Sequence, residues 1–314
     1  MTPETPLRES DKLQNRDTFS SYHPAVNFLY FGLVLVFTMC WMHPVSLCIS
    51  LGSGLAYAVY LNGRRAVRFS LTCLLPMLLL AAAVNPAFNH EGATVLTYLP
   101  TGNPLTLESI LYGLAAAGML AAVVTWFSCY NAVMTSDKFV YLFGRVIPAL
   151  SLVLSMTLRF VPKFKAQIAA VSEAQRCVGR DVSEGSVLQR TRRAVTILSI
   201  VVTWSLENAI ETADSMKSRG YGLPGRTAFS IYRMDGRDRA ALVWLGFCGF
   251  YLCCGWAAGG LYWRYFPTMK GALAGAFPVS FQAVYLALCL TPVLLNRWED
   301  RIWKRRGETV CSKA

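Results

Sequence analysis

Residues 146–158 read VIPALSLVLSMTL and residues 194–206 read AVTILSIVVTWSL, and these two similar runs decide how the chain is organised. Each apolar run continues into a polar, helix-favouring stretch that stops at a glycine, Gly179 in the first unit and Gly220 in the second. Glycine is the residue best suited to the left-handed position that follows a helix end. The pattern predicts two long helices, each apolar in its first half and amphipathic in its second.

The chain as a whole is too apolar for a soluble domain. Hydrophobic residues make up 54% of its 314 residues and charged residues only 15%, with a mean hydropathy of +0.39. A soluble domain carries about 25% charged residues. Asp, Glu, Lys and Arg are missing altogether from residues 18–63, 109–136 and 271–296. The sequence therefore predicts an all-α integral membrane protein.

Six apolar segments are predicted to span the membrane. Their approximate bounds are 24–42, 44–61, 70–88, 109–130, 240–262 and 271–295. Four of them fall in residues 23–135 and two in 240–295. The two central runs have only 13 residues each, whereas a spanning helix needs about 20, so they are expected to pack at the cytoplasmic membrane face.

The remaining segments are interpreted as loops and tails. Residues 136–239 are predicted to form a cytoplasmic domain of coupling helices. Residues 1–22 are expected to be a loose cytoplasmic tail, and residues 296–314 a basic one. Residues 89–107 are expected to form an external loop with a short re-entrant turn, after which Thr106 and Glu108 begin a helix.

The distribution of basic residues predicts the orientation. With both termini inside, 28 of the 30 Lys and Arg residues lie on the cytoplasmic side and 2 lie outside. Cytoplasmic loops of membrane proteins are enriched in these residues. The net charge of +12 therefore calls for no nucleic-acid partner. The ten cysteines lie mostly within apolar segments and indicate neither a disulfide framework nor a metal site.

The apolar segments contain few groups that could act on a substrate. His23, His43 and His90 lie at segment ends and are interpreted as interfacial residues rather than ligands. Asn85 is expected to satisfy the backbone group that Pro86 leaves without a partner. The sequence has no GxxxxGK[ST] phosphate loop. These features predict a non-catalytic chain that binds no cofactor itself.

The candidate functional residues lie on the two polar helix halves. One small and apolar stripe of the second half would let another helix approach closely. It consists of Ala209, Ala213, Met216 and Gly220. Arg176 and Arg219 lie at the helix ends, where a cation interacts favourably with the helix dipole. One such end is an ordinary helix stop, but two in one cytoplasmic domain favour a docking role.

The second helix end, DSMKSRGYG at residues 214–222, resembles the transmembrane T component of energy-coupling factor (ECF) transporters, a family that includes the cobalt-transport type. Members carry two Ala-Arg-Gly-like motifs at the ends of two cytoplasmic coupling helices. Ser218-Arg219-Gly220 matches the second motif. The first reads Cys177-Val178-Gly179 and lacks the arginine, which leaves Arg176 or Arg180 to supply the charge.

The resemblance implies a coupling role. It covers roughly residues 22–295 and includes His23-Pro24 and the LTLES sequence at 105–109. T components join a membrane substrate-binding S component to two cytoplasmic ABC ATPases, which bind the ATP. The implied function is therefore uptake of a vitamin or metal ion across a prokaryotic plasma membrane. Each coupling helix would dock in a groove of one ATPase, where Arg219 would donate charge-assisted hydrogen bonds.

Two other functions stay open at this stage. A permease subunit of another ABC importer would bind its substrate itself. It would carry a single coupling loop, in which an apolar-Pro motif closely follows the glycine. Residues 180–193 read RDVSEGSVLQRTRR instead. A membrane enzyme of unknown chemistry would act without partners. The sequence does not identify a transported substrate, because the S component would select it.

Overall fold

The computed structural model describes residues 17–89, 91–98, 104–144, 147–223, 232–260, 262–271 and 275–311. In chain order its helices are α1 (Pro24–Cys40), α2 (Pro44–Asn62), α3 (Arg64–Phe88), α4 (Leu107–Val133), α5 (Ser136–Gly144), α6 (Pro148–Cys177), α7 (Val187–Ser218), α8 (Gly236–Ala257) and α9 (Ala276–Cys311). A 3₁₀ turn, Thr18–Ser21, precedes α1, and α3 contains a π-helical turn, Ser70–Leu74. The predicted all-α architecture is confirmed.

The chain folds into two compact units. One contains the described residues of Met1–Thr135 and Tyr232–Ala314, and therefore α1–α4, α8 and α9. The other contains the described residues of Ser136–Ile231, and therefore α5–α7. The second unit holds both of the helix ends that the sequence singles out.

The strands of the described residues form two short hairpins. β1 (Val95–Tyr98) pairs antiparallel with β2 (Pro104–Thr106), and β3 (Trp263–Arg264) pairs antiparallel with β4 (Lys270–Gly271). The described part of residues 89–107 contains the first hairpin, and the tip of this loop, where the re-entrant turn is expected, lies outside the described residues. The expected start of α4 is confirmed, since the Thr106 hydroxyl accepts a hydrogen bond from the Ser109 amide at 3.3 Å.

Among the described residues, six helices are long and apolar enough to span a membrane, the number that the sequence predicts. The set differs from the predicted one. By length and composition it comprises α2, α3, α4, α7, α8 and the Ala276–Glu299 part of α9. The first predicted span, α1, has 17 residues and is shorter. The apolar run 194–206, expected to be too short to span a membrane, is part of a longer helix, because it lies inside the continuous 32 residues of α7.

Helix α1 lies in the core of the first unit. Its side chains Val26, Tyr30, Phe31 and Val34 are fully buried, as is Trp126 of α4. Several polar groups in this core pair across helices, as a membrane interior favours, although Asn27 Oδ1 has no partner among the described residues. The Thr38 hydroxyl lies 2.8 Å from the Ser50 hydroxyl and 2.9 Å from that of Tyr285, and the Trp126 indole donates to the Ser50 hydroxyl at 3.0 Å. These bonds join α1, α2, α4 and α9.

The segment just before α1 is packed rather than loose. Asp17 and Phe19 are buried. The Asp17 carboxylate accepts hydrogen bonds from Tyr57 Oη at 3.0 Å and Asn296 Nδ2 at 2.5 Å, and the Phe19 amide donates to Asn296 Oδ1 at 3.0 Å. The prediction of a loose tail is therefore wrong for residues 17–22. Residues 1–16 lie outside the described residues.

Two of the three histidines cap helices. His23 and His43 each precede a proline at the first position of α1 or α2. Their Nδ1 atoms accept hydrogen bonds from the amides of Ala25 at 3.2 Å and Val45 at 3.3 Å. This satisfies a donor that the start of a helix leaves unpaired. His90 lies outside the described residues.

Asn85 joins two helices instead of repairing the break at Pro86. Its amide nitrogen donates to the Ser109 carbonyl of α4 at 2.8 Å, so the expected local role is wrong. The contact needs close packing of α3 on α4, which Gly113 allows. A Cβ atom at Gly113 would lie 2.9 Å from the Ala82 carbonyl oxygen. Small residues and interhelical hydrogen bonds of this kind stabilise helix pairs in membranes.

Candidate functional site: the ends of two long helices

The second unit is built around two uninterrupted helices. α6 has 30 residues and α7 has 32, which corresponds to about 45 and 48 Å. Pro148 occupies the first turn of α6, where its missing N–H costs no hydrogen bond. Ser186 and Gln189 form a capping box at the start of α7. The sequence predicts one continuous helix over residues 194–220, and α7 is continuous from Val187 to Ser218, with Arg219 as its C-cap.

Both helices end in the same hydrogen-bonded turn. After α6, the Gly179 amide donates to the Arg176 carbonyl and the Arg180 amide to the Gln175 carbonyl, both at 2.9 Å. After α7, the Gly220 amide donates to the Lys217 carbonyl and the Tyr221 amide to the Met216 carbonyl, both at 3.0 Å. These are the two bonds of a Schellman motif.

The matching bonds place Val178 and Arg219 at equivalent positions. Each is the C-cap residue before a left-handed glycine, Gly179 with φ 75° and Gly220 with φ 79°. Cys177 then corresponds to Ser218. The same turn also ends α8 at Gly259, so the turn by itself is a helix stop. What distinguishes the end of α7 is the arginine that it presents.

The turn after α6 is tied to the start of α7, and Arg176 takes part in this. Its Nε atom lies 3.4 Å from the Asp181 carboxylate. Arg190 and Arg193 of α7 donate to carbonyls of the same loop. Hydrogen bonds from Ser183, with smaller effects from the charges of Arg176 and Arg193, hold the pKa of Asp181 below its usual range. Arg176 therefore stabilises its own loop.

Arg219 is placed differently. Among the described residues its guanidinium has neither an ion pair nor a hydrogen bond, and the side chain is exposed. It lines a groove of about 780 Å³ between α6 and α7. The groove holds three cationic side chains, Arg159, Lys163 and Arg219, and one anionic side chain, Glu211. The groove and its arginine could therefore receive an acidic group.

The sequence reading missed the residues that position this groove. Lys163 Nζ lies 3.1 Å from Asn208 Oδ1 and 5.3 Å from the centre of the Trp204 ring. Trp204 also packs edge-to-face on Phe164 of α6. A signal was present, because Ile197, Val201, Trp204, Asn208 and Thr212 recur at steps of three and four. That spacing marks one face of a helix.

The predicted small-residue stripe is not the face of α7 that packs on α6. Met216 and Gly220 line the groove, but Ala209 and Ala213 are exposed. At about 100° per residue, these alanines lie roughly a quarter turn from Asn208 and Thr212. They continue an apolar face whose side chains are all exposed in the described structure. It consists of Val195, Leu198, Val202, Leu206 and Ile210.

The described residues include no group of three or more His, Cys, Asp or Glu side chains that could hold a metal ion. The features of this unit that stand out are a pair of long helices, an arginine with no partner among the described residues and an exposed apolar face. Such features suit docking.

Three proteins with similar sequences are energy-coupling factor transporter transmembrane proteins (EcfT). That of Bacillus selenitireducens is 28% identical over 236 residues, which cover 70% of this chain and 86% of the relative. That of Streptococcus thermophilus is 32% identical over 138 residues, covering 43% and 52%. That of Lactobacillus helveticus is 33% identical over 99 residues, covering 31% and 36%. The chain thus spans only about a third to a half of some relatives.

The family match is broader than most of these pairwise alignments. The cobalt transport protein family CbiQ matches residues 20–229, well over half of the chain. The match includes α1–α7 and therefore both helix ends and the groove between α6 and α7. The chain belongs to the CbiQ family of cobalt transport proteins.

Proposed function

We propose that this chain is the transmembrane coupling subunit of an ECF-type importer for a vitamin or metal ion. It would link two cytoplasmic ABC ATPases to a membrane S component that selects the substrate. The observation that carries the proposal is Arg219, an unpaired cation at the end of a 32-residue helix. The match to the CbiQ family and the relatives named EcfT support the assignment.

The second support is the apolar face of α7. Large side chains such as Leu206 and Ile210 are more than 60% exposed. An exposed apolar patch of this kind marks an interaction site for protein or lipid. In the proposed complex, this face and the stripe of Ala209 and Ala213 would lie against the ATPases or the S component.

In this proposal, ATP binding and substrate binding belong to the partner subunits. ATP would bind to the partner ATPases and the substrate to the S component, so this chain would catalyse nothing itself. It would lie in a prokaryotic plasma membrane, with both termini and residues 136–239 on the cytoplasmic side, as the basic residues favour. In this arrangement α7 would lie at the membrane face, although it is long and apolar enough to cross a membrane. The two helix ends would then face the ATPases.

Co-purification with candidate ATPases and an S component tests the proposal. Arg219→Glu should weaken retention of an ATPase about tenfold or more, since hydrogen bonds to a charged group contribute about 1.5–3 kcal/mol. Lys217→Glu is the matched control. It makes the same charge change two residues before Arg219, on an exposed side chain outside the groove.

Loss of the ATPase with Arg219→Glu but not with Lys217→Glu would support docking through Arg219. Full retention of both ATPases by Arg219→Glu would contradict it. Substrate turnover by the purified chain without any partner would contradict the coupling role as a whole and favour an enzyme.

A further inference from the structure

An apolar pocket lies in the first unit, in the gap between α2 and α3. It has a volume of about 440 Å³. Both helices pack on α4, whose side chains also line the pocket. Its walls include Leu47 and Leu51 of α2, Leu78 of α3, and Leu114 and Gly118 of α4. No function assigned above uses this pocket.

The lining of this pocket carries no charge. Among the described residues, those that line it include no Asp, Glu, Lys or Arg. The Tyr265 hydroxyl, one of the few polar groups there, already donates to the Met42 carbonyl at 2.8 Å. A polar ligand would therefore lose its hydration and gain few hydrogen bonds, which is unfavourable. The pocket suits a hydrocarbon group instead.

The pocket lies at the depth of a single lipid leaflet. It begins at Pro44, the first residue of α2, and reaches Leu51, which is about 10 Å of helix. Near its own start, α4 lines the pocket from Leu111 to Gly118, over about the same distance. The hydrocarbon core of a bilayer is about 30 Å thick, so the pocket stays within the half nearest to these helix ends. The sequence predicts that this side is external.

The shape of the pocket favours a lipid chain over the helix of another membrane protein. Leu74 of α3 is buried one turn from Leu78, towards the centre of the membrane, and therefore closes the gap beyond the pocket. A partner helix that crosses the bilayer would need a groove about 30 Å long, much longer than this pocket. A flexible hydrocarbon chain can enter between α2 and α3 and end where the pocket ends.

We propose that this pocket holds one acyl chain of a phospholipid from the leaflet on the predicted external side. The acyl chain lies against Leu47, Leu78 and Leu114 and contacts three helices at once, unlike a lipid on the convex surface of a single helix. Gly118 leaves room for it, because a Cβ atom at this position would meet no atom within 4 Å. This site is independent of the partners proposed above.

Photolabelling of the full chain in detergent tests the proposal. The probe is phosphatidylcholine with a diazirine halfway along one acyl chain, and mass spectrometry of the peptides locates the labels. We expect labelling of residues 44–51 that saturates with probe concentration. Gly118→Leu, whose side chain fills the pocket, should raise the half-saturating concentration about tenfold, the effect of about two methylene groups that are no longer buried.

Gly246→Leu is the matched control, because Gly246 of α8 also has no atom within 4 Å of an added Cβ atom but lies outside the pocket. It should leave the half-saturating concentration within about twofold. Labelling that does not saturate would indicate ordinary contact with surrounding lipid and overturn the proposal, as would equal effects of the two substitutions.

Competition provides a measurement that needs no variant. Unlabelled phosphatidylcholine should compete with the probe, whereas glycerophosphocholine, which has no acyl chain, should not. Competition by glycerophosphocholine would identify a headgroup site and overturn the assignment to an acyl chain. Protection of residues 44–51 by a bound S component would show that a protein covers the pocket and would also overturn it.

Discussion

Replacing Ala209 with proline tests whether α7 acts as a rigid lever. Ala209 lies near the junction of the apolar and amphipathic halves, eleven residues before Gly220. Proline there removes the hydrogen bond from residue 209 to the Ser205 carbonyl and clashes with the preceding turn, at a cost of about 3 kcal/mol or more. Because Ala209 is exposed and outside the groove, the substitution removes no packing within the described chain.

The expected displacement follows from the geometry of α7. Ten residues separate Ala209 from Arg219, which is about 15 Å of helix. A proline kink exceeds about 20°, so it would move the end of the helix by about 5 Å. The turn that the proline distorts, residues 205–209, includes Asn208, so the contact between Lys163 and Asn208 should weaken as well.

The assay is uptake by vesicles that contain the chain with its ATPases and S component. We expect Ala209→Pro to keep ATP hydrolysis but to lower the amount of substrate taken up per ATP. Val187→Pro is the matched control, because the first helical position tolerates proline. Ala209→Leu controls for side-chain bulk. A normal ratio of uptake to hydrolysis in Ala209→Pro would refute the lever.

Three further predictions concern charge, orientation and the helix ends. Arg219→Glu should reduce ATPase retention more than Arg176→Glu does, because Arg176 is paired with Asp181. Equal or reversed losses would mean that Arg219 is not the main contact with the ATPase. In a chain cleared of native cysteines, Ser186→Cys should resist an impermeant thiol reagent in intact cells and react after lysis; labelling of intact cells would contradict the proposed orientation. Gly179→Ala should destabilise the second unit by about 1–2 kcal/mol in denaturant unfolding, because φ 75° strains a residue with a Cβ atom. Because no atom lies within 4 Å of that Cβ, a much larger loss would point to a packing role.

The membrane class and the two long helices could be predicted from the sequence because they depend on local patterns. The absence of charge in long blocks is a property of composition. The helix ends are local as well, since a basic residue followed by glycine specifies the turn through backbone geometry. The alignment of Val178 with Arg219 could be proposed from the motif and is visible in the matching hydrogen bonds of the two turns.

Tertiary structure decided which of these residues are available and which are already engaged. Arg176 and Arg219 both lie at helix ends, but the loop after α6 turns Asp181, five residues on, back to Arg176. Asn85 pairs with Ser109 and Asp17 with Asn296, and the second pair is separated by 279 positions. No local pattern specifies such contacts, because they depend on how helices pack and which polar groups a membrane interior forces together. Composition determined what kind of protein this is, and packing determined which side chains remain free to act.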